Sequence, residues 1–250
     1  AGLKPSGKND LALLLAPQGA SAAGTFTQSS VRAASVDLCQ ERLEFNSARA
    51  VLINSGQANA FTGDRALSDS LLATKTLANL LSLSEKEVLI CSTGVIGEPI
   101  PIQKMISGLP SLVETLSKNG GGDAAQSILT TDLVTKQIAV ETHFGDRTVR
   151  IGGMAKGSGM IHPNMATMLA FVSCDAGVPP EIWSGMVKRV ASFSFNAISV
   201  DGDTSTNDSF VAFAAGEPLE KKYFRDLEIG FLKVAQHLAK AIARDGEGAN

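Results

Sequence analysis

Five times along this chain an apolar stretch stops in a dense cluster of Gly, Ser, Thr and Asn. The clusters are 54–60, 91–97, 152–160, 199–208 and 245–248. Small residues let backbone N–H groups approach a ligand closely, and hydroxyls and amides fix its polar groups. Taken singly, each cluster reads as a tight surface turn. Five in one chain, with 24 glycines among 250 residues, favour loops gathered around a small polar metabolite. Two of these loops carry a lone charge, Lys156 and Glu247. A lysine there can bind a carboxylate or poise a nucleophile, and a glutamate can hold an ammonium group. Solvated loop charge is the commoner fate of both.

The rest of the composition narrows the function class. A formal net charge of −3 leaves no electrostatic footprint for nucleic acid or an anionic membrane. Thirteen aromatic residues are too few for a base-stacking surface. No apolar run reaches the roughly 18 to 20 residues of a spanning helix, and Ala1 to Pro5 has no secretory signal pattern. Cys39, Cys91 and Cys174 form neither a CxxC pair nor a disulfide framework, which favours a reducing compartment such as the cytoplasm. His143, His162 and His237 are scattered, so neither metal nor cofactor is expected.

Hydrophobic periodicity predicts strands over 11–15, 49–53, 87–91 and 166–173, with a hairpin formed by 137–143 and 147–151. Helices are predicted over 64–83, 101–116, 180–193 and 219–243. In the first of these, Leu67, Leu71, Leu72, Thr74, Leu77, Leu80 and Leu81 make the apolar stripe. The run Lys118 to Asp123, with three glycines, reads as a flexible turn. Strands and helices alternate without a strict βαβ rhythm, which favours a mixed sheet with helices outside.

Common enzyme signatures fail. GxSxG and SxxK are missing, excluding the usual serine hydrolase and β-lactamase arrangements. Gly2-x4-Gly7-Lys8 imitates a phosphate loop, but Asn9 stands where a magnesium-binding Ser or Thr should be. Asp201 to Ser205 starts like a calcium loop, yet Thr206 replaces the turn glycine and no Glu closes twelve positions.

The segment from Met154 to Leu169, Met-Ala-Lys-Gly-Ser-Gly-Met-Ile-His-Pro-Asn-Met-Ala-Thr-Met-Leu, resembles the self-processing segment of the ornithine acetyltransferases. These are the bifunctional glutamate N-acetyltransferase/ornithine acetyltransferases of arginine biosynthesis. Asn54 to Ala60, Ser92 to Gly97, Val200 to Asp208 and Asp245 to Ala249 match further blocks of that family in order.

The resemblance implies self-cleavage between Ala166 and Thr167, with Thr167 as the new N-terminal nucleophile. That chemistry is sensible in itself. A threonine hydroxyl needs a base, and a freed α-amine with a pKa near ~7.7–8.0 supplies one on the same residue. Residue pattern alone would leave Thr167 as a strand residue in an apolar run. The resemblance further implies Thr93 and Gly94 as the oxyanion pair, and Lys156, Thr167 and Glu247 as substrate contacts. It implies a ping-pong transfer of acetyl from N-acetylornithine to glutamate through an acetyl-Thr intermediate. Some members also take acetyl from acetyl-CoA, a donor the resemblance leaves open.

The implied fold is α/β, a mixed two-sheet sandwich with helices on both outer faces, αββα-like. Residues 1–250 would form a single catalytic body, divided by cleavage into an alpha piece, 1–166, and the start of a beta piece, 167–250. The pieces would assemble as an alpha/beta hetero-oligomer in the cytoplasm, or in an organelle matrix in a eukaryote. Family members begin upstream of Ala1 and continue beyond the Gly-Glu-Gly motif, and usually carry Thr where this chain has Asn250. The expectation is therefore a fragment of a longer precursor. Two rivals remain at this stage: a related N-terminal-nucleophile aminopeptidase or amidase, and an inactive truncated remnant.

Overall fold

The computed structural model describes residues 1–160 and 168–246. Among them, eight strands form two sheets. The first has three strands in the order β1 (Leu11–Leu15), β3 (Ala50–Gln57), β4 (Val88–Val95). Here β1 and β3 are antiparallel, and β3 and β4 are parallel. The second has five strands in the order β2 (Ser21–Phe26), β8 (Ser209–Ala214), β7 (Leu169–Cys174), β6 (Arg147–Lys156), β5 (Lys136–Phe144). Within it β7 and β8 run parallel and the other pairings are antiparallel.

Period-two side-chain alternation explains why uniformly apolar runs become strands here. A strand buried on both faces needs no polar alternation, only two cores to fill. In β3, Val51 and Ile53 enter the core between the sheets, while Ala50 and Leu52 enter the outer core of the three-stranded sheet. In β4, Leu89 and Cys91 face inward while Val88 and Ile90 face outward. In the other sheet, Leu169, Phe171, Val211 and Phe213 join the inter-sheet core. Ala170, Val172, Phe210, Ala212 and Ala214 line the outer one.

Helices cover both outer faces. Residues Trp183, Met186, Val187 and Val190 of α5 (Pro180–Ser192), with Leu227, Phe231, Val234 and Leu238 of α6 (Phe224–Arg244), pack on the five-stranded sheet. Trp183 stacks on Phe231 at 4.9 Å and donates its indole N–H to the Ala212 carbonyl, so its polar atom is satisfied in the core. On the other side, Ala73, Leu77 and Ala78 of α2 (Arg65–Leu81) and Met105 and Leu109 of α3 (Ile102–Glu114) cover the three-stranded sheet. The layers are therefore helix, sheet, sheet, helix, as expected. Two shorter helices sit at the flanks: α1 (Ala34–Leu43), and α4 (Gly121–Ser127).

Several expectations need correction. The predicted leucine stripe of α2 is largely on the wrong face. Leu67, Leu71, Leu72 and Leu80 are 38–47% exposed, while Ala66, Ser70, Ala73, Thr74 and Ala78 are buried with Leu77. Close helix packing selects the small residues, whose slim face permits a short approach. The predicted turn at Lys118 to Asp123 runs into α4, whose Ala125 and Ser127 are buried. Tertiary contact there overrides the poor helix propensity of Gly121 and Gly122. Part of the supposed loops is strand. Asn54 to Gln57 ends β3, Ser92 to Val95 ends β4, and Gly152 to Lys156 ends β6. The strand expected over 166–173 is described as β7 from Leu169, and Ala166 lies outside the described residues.

Candidate functional site

Parallel pairing brings the C-terminal ends of β3 and β4 side by side, and their last pairs include Ser55 with Thr93 and Gly56 with Gly94. Gly94 has φ +132°, and a Cβ on it would lie 2.2 Å from the Gly56 carbonyl group. No side chain fits there. The glycine follows from the closeness of the two backbones and from a φ that L-residues avoid. Gly56, at φ +138°, is less enclosed: a Cβ there would lie 3.1 Å from the Leu3 carbonyl oxygen, so its backbone conformation is the stronger reason for glycine.

Lys156 ends β6 beside the start of β7, paired with Leu169. Thr93 and Lys156 are both buried, and Lys156 Nζ donates to Thr93 Oγ1 at 3.1 Å. Sixty-three residues apart in sequence, the two meet across the gap between the sheets. An ammonium group has donors only, so it occupies an acceptor site on the Thr93 oxygen. That leaves the Thr93 O–H to donate to a third group. A hydroxyl oriented by a cation, next to a glycine held in an unusual backbone state, is suited to an oxygen that gains negative charge.

The remaining loops are tied to this pair. Asn207 donates from Nδ2 to the Ala58 carbonyl at 2.6 Å and to the Ser92 carbonyl at 3.0 Å, which binds together the loops after β3 and within β4. Thr206 Oγ1 donates to Asn207 Oδ1 at 2.6 Å and fixes the orientation of that amide. Thr27 Oγ1 donates to the Ser205 carbonyl, and Ala33 N–H to that of Thr206. Ser158 is bonded to Thr131 through their hydroxyls at 2.7 Å.

Two carboxyls near Lys156 behave oppositely. Burial pushes the Asp132 carboxyl upward, but Lys156, the Gly157 N–H and Lys136 outweigh it and hold it below the usual carboxylate value. Burial wins at Asp208, which is pushed well above that value despite bonds from Ser205 and Met168 and the charge of Lys156. Asp208 Oδ1 accepts the Met168 N–H at 3.1 Å, while its buried Oδ2 has no hydrogen-bond partner among the described residues. Met168 directly follows Thr167, so this carboxyl grips the amide nitrogen that closes residue 167.

Of the site residues expected from sequence, Thr93, Gly94 and Lys156 are brought together. Thr167, Ala166 and Glu247 lie outside the described residues. Asp132, Lys136, Asn207, Asp208 and Asp245 were not expected as contributors in their own right. Asn207, Asp208 and Asp245 fall inside the polar clusters and could have been singled out there. Lys136 and Asp132 carry no local signal.

The model of the ArgJ family matches residues 1–250. The chain belongs to the ArgJ family. It is 64% identical over 252 residues to an arginine biosynthesis bifunctional protein ArgJ of Prochlorococcus marinus. It is 65% identical over 251 residues to the protein of that description from Parasynechococcus marenigrum. Each alignment takes in 100% of this chain and 61% of the relative, so the chain spans about three fifths of their length. Among solved structures it is similar to ornithine acetyltransferase from Mycobacterium tuberculosis complexed with ornithine, with a TM-score of 0.60 and 40% identity. That match covers 65% of this chain and 86% of the other. A further likeness concerns the fold alone. The L-aminopeptidase D-Ala-esterase/amidase of Ochrobactrum anthropi, described as a variant of the Ntn hydrolase fold, matches 97% of this chain and 76% of its own. Its TM-score is 0.55 at 10% identity.

Proposed function

We propose that this ArgJ-family chain supplies the nucleophile-bearing part of an enzyme that moves acetyl from N-acetylornithine to glutamate. The observation that carries the reading is the Lys156–Thr93 hydrogen bond beside Gly94, at the strand ends next to the start of β7. Thr167 Oγ attacks the acetyl carbonyl while its proton passes to the freed α-amine of the same residue. The Thr93 hydroxyl and the Gly94 N–H receive the charge on the carbonyl oxygen. Collapse expels the ornithine nitrogen, which takes the proton, and leaves acetyl-Thr167. Glutamate then attacks through its amine and regenerates Thr167. Lys156 and Glu247 contact the carboxylate and ammonium of these amino acids. No cofactor is needed, because nucleophile, base and oxyanion donors are all protein groups.

The nucleophile arises by cleavage of the Ala166–Thr167 bond. The Thr167 hydroxyl attacks the Ala166 carbonyl, the amide nitrogen leaves as an amine, and water hydrolyses the resulting ester. The two products would stay together as an alpha/beta hetero-oligomer, because β6 and β7 pair over 151–156 and 169–174 on either side of the cut. Among the described residues no helix is long and apolar enough to cross a membrane. Cys39, Cys91 and Cys174 are all free and buried, which suits a reducing compartment such as the cytoplasm.

The test is a full-length protein assayed for acetyl exchange, with intact mass measured beside it. Wild type should show two chains, the second starting Thr-Met-Leu-Ala-Phe, and should transfer acetyl to glutamate. Thr167→Ala should remain one chain and transfer none. Water acting as acceptor when glutamate is omitted, at an equal rate, would favour an amidase instead. Folded protein that exchanges acetyl while intact at this bond would overturn the mechanism. Running acetyl-CoA in parallel as donor separates a bifunctional from a monofunctional enzyme.

A further inference from the structure

Lys136 opens β5, and its side chain is wholly withdrawn from solvent. It pairs in register with Ala155, next to Lys156. Burying an ammonium is costly unless its donors are matched, and an apolar side chain of similar size often serves stability as well or better. Here the matching is close. Lys136 Nζ lies 2.6 Å from Asp132 Oδ1 and also bonds Asp245 Oδ2.

Those two carboxylates lead to opposite sides of the site. Asp132 Oδ1 also accepts the Gly157 N–H at 2.7 Å, one residue beyond Lys156. Asp245 is the C-cap of α6 and stands two residues before Glu247. Its Oδ2 accepts the Leu133 N–H at 3.0 Å, which pins the loop carrying Asp132. Gly246 is tightly enclosed as well, since a Cβ there would meet Val200 Cγ1 at 2.9 Å. One buried cation thus joins the turn after β6 to the end of α6.

We propose that Lys136 is a positioning residue for substrate recognition: through Asp132 it sets the Lys156–Gly157 turn, and through Asp245 it sets the segment leading to Glu247. The inference rests on the acetyl-transfer reading for what those contacts bind. Its geometric content stands apart from that reading. Asp132 is paired with the Lys136 ammonium and lies within the field of Lys156, and Lys136 satisfies it so that Lys156 keeps its bond to Thr93. Without Lys136, the uncompensated Asp132 charge draws Lys156 toward itself. Lys4, bonded to the Asn9 and Ser127 carbonyls, is a third cation felt by this cluster and is too engaged to take Lys136's place.

The experiment compares full-length wild type, Lys136→Met, Glu247→Gln, the double variant, and Leu77→Ala as a core-destabilised control under α2. Lys136→Met should self-cleave, should raise KM for N-acetylornithine roughly tenfold, and should also lower kcat, because Lys156 no longer orients the Thr93 hydroxyl. Leu77→Ala should leave KM within about twofold. In the Glu247→Gln background the effect of Lys136→Met on KM should shrink, because part of it acts through Glu247. An unchanged KM, a shift no larger than that of Leu77→Ala, or full additivity would overturn the proposal. Should Lys136→Met fail to fold, Asp245→Asn keeps one acceptor oxygen for Lys136 and the Leu133 N–H while removing the charge, and should raise KM at least about threefold. A crystal structure of Lys136→Met, or of Lys136→Gln where the methionine variant does not fold, decides the geometric claim even if wild type transfers no acetyl. Lys156 turned from Thr93 is expected, and an intact Lys156–Thr93 bond refutes it. Missing transfer by wild type would count against the acetyl-transfer reading alone.

Discussion

Replacing Thr93 by valine removes one oxygen from a buried site and keeps the shape of the side chain. Two losses follow from the structure. Lys156 Nζ loses the acceptor it contacts at 3.1 Å, and the proposed oxyanion loses its hydroxyl donor. The first acts on the resting enzyme, and the loss of a hydrogen bond to a charged group costs about 1.5–3 kcal/mol of stability. The second acts only when charge forms on the acetyl oxygen. Removal of one preorganised donor of this kind costs about 3–4 kcal/mol of barrier, or roughly 10²–10³ in kcat. Thr93→Ser keeps the oxygen and loses only a methyl group, so it should retain activity within about tenfold. The assay is steady-state acetyl transfer by full-length protein, with intact mass confirming that each variant carries its N-terminal threonine. Because the interaction is made mainly in the transition state, kcat should fall with little change in KM. Thr93→Val with normal kcat and only a raised KM would make Thr93 a ground-state contact and refute the oxyanion assignment.

Three further outcomes are expected. Gly94→Ala places a methyl group 2.2 Å from the Gly56 carbonyl at a φ of +132°, and backbone cannot yield as a side chain can. It should cost about 3 kcal/mol or more in denaturant titrations, and a loss under about 1 kcal/mol would show that β3 and β4 separate easily. Glu247→Gln should raise KM for both amino acids roughly tenfold and leave self-cleavage intact, since cleavage uses no amino-acid ligand. Processing lost in this variant would place Glu247 at the cleavage site instead. Asp208 has its carboxyl pushed up in the folded state, so folding binds a proton and wild-type stability should fall as pH rises above about 4, by up to ~1.4 kcal/mol per pH unit, until the folded-state group ionises. Asp208→Asn should flatten that slope in thermal melts of a Thr167→Ala single chain, and an unchanged slope would mean that Asp208 is ionised when folded.

What could be read in the sequence tracks how local each signal is. The strands β1, β3 and β4 and helices α3, α5 and α6 announce themselves by short-range apolar spacing, and the structure contains each. By contrast, β2 consists of Ser-Ala-Ala-Gly-Thr-Phe, which has little strand propensity and is held as an edge by pairing with β8. The β8 segment Ser-Phe-Val-Ala-Phe-Ala was legible in principle, being an unbroken small and apolar run, but the sequence reading assigns no element between the polar cluster ending at 208 and the helix from 219. In α2 the leucines misled because hydrophobicity alone does not say which face can approach a neighbour closely. The resemblance placed Thr93 and Lys156 in one site, and the structure adds that they touch. Nothing local could link Asp132, Lys136 and Asp245, since the last is 109 residues from the lysine it pairs with.

The architecture also explains how such a fold can tolerate a cut beside its own site. The proposed break separates β6 from β7, yet β7 is a central strand with six residue pairs to β6 and six to β8. Losing the covalent link costs the two pieces a loop-closure advantage of about 3 kcal/mol for a connection of this size. Against that stand Leu169 and Phe171 in the inter-sheet core and Val172 in the outer one, all buried. Each contributes about 1.5–3 kcal/mol when fully buried, so three side chains of one strand already match or exceed the loss. The strand after the proposed cut would therefore stay in place without its connection. The proposed nucleophile would then be the second residue before Leu169, on a chain whose next stretch the sheet holds from both sides.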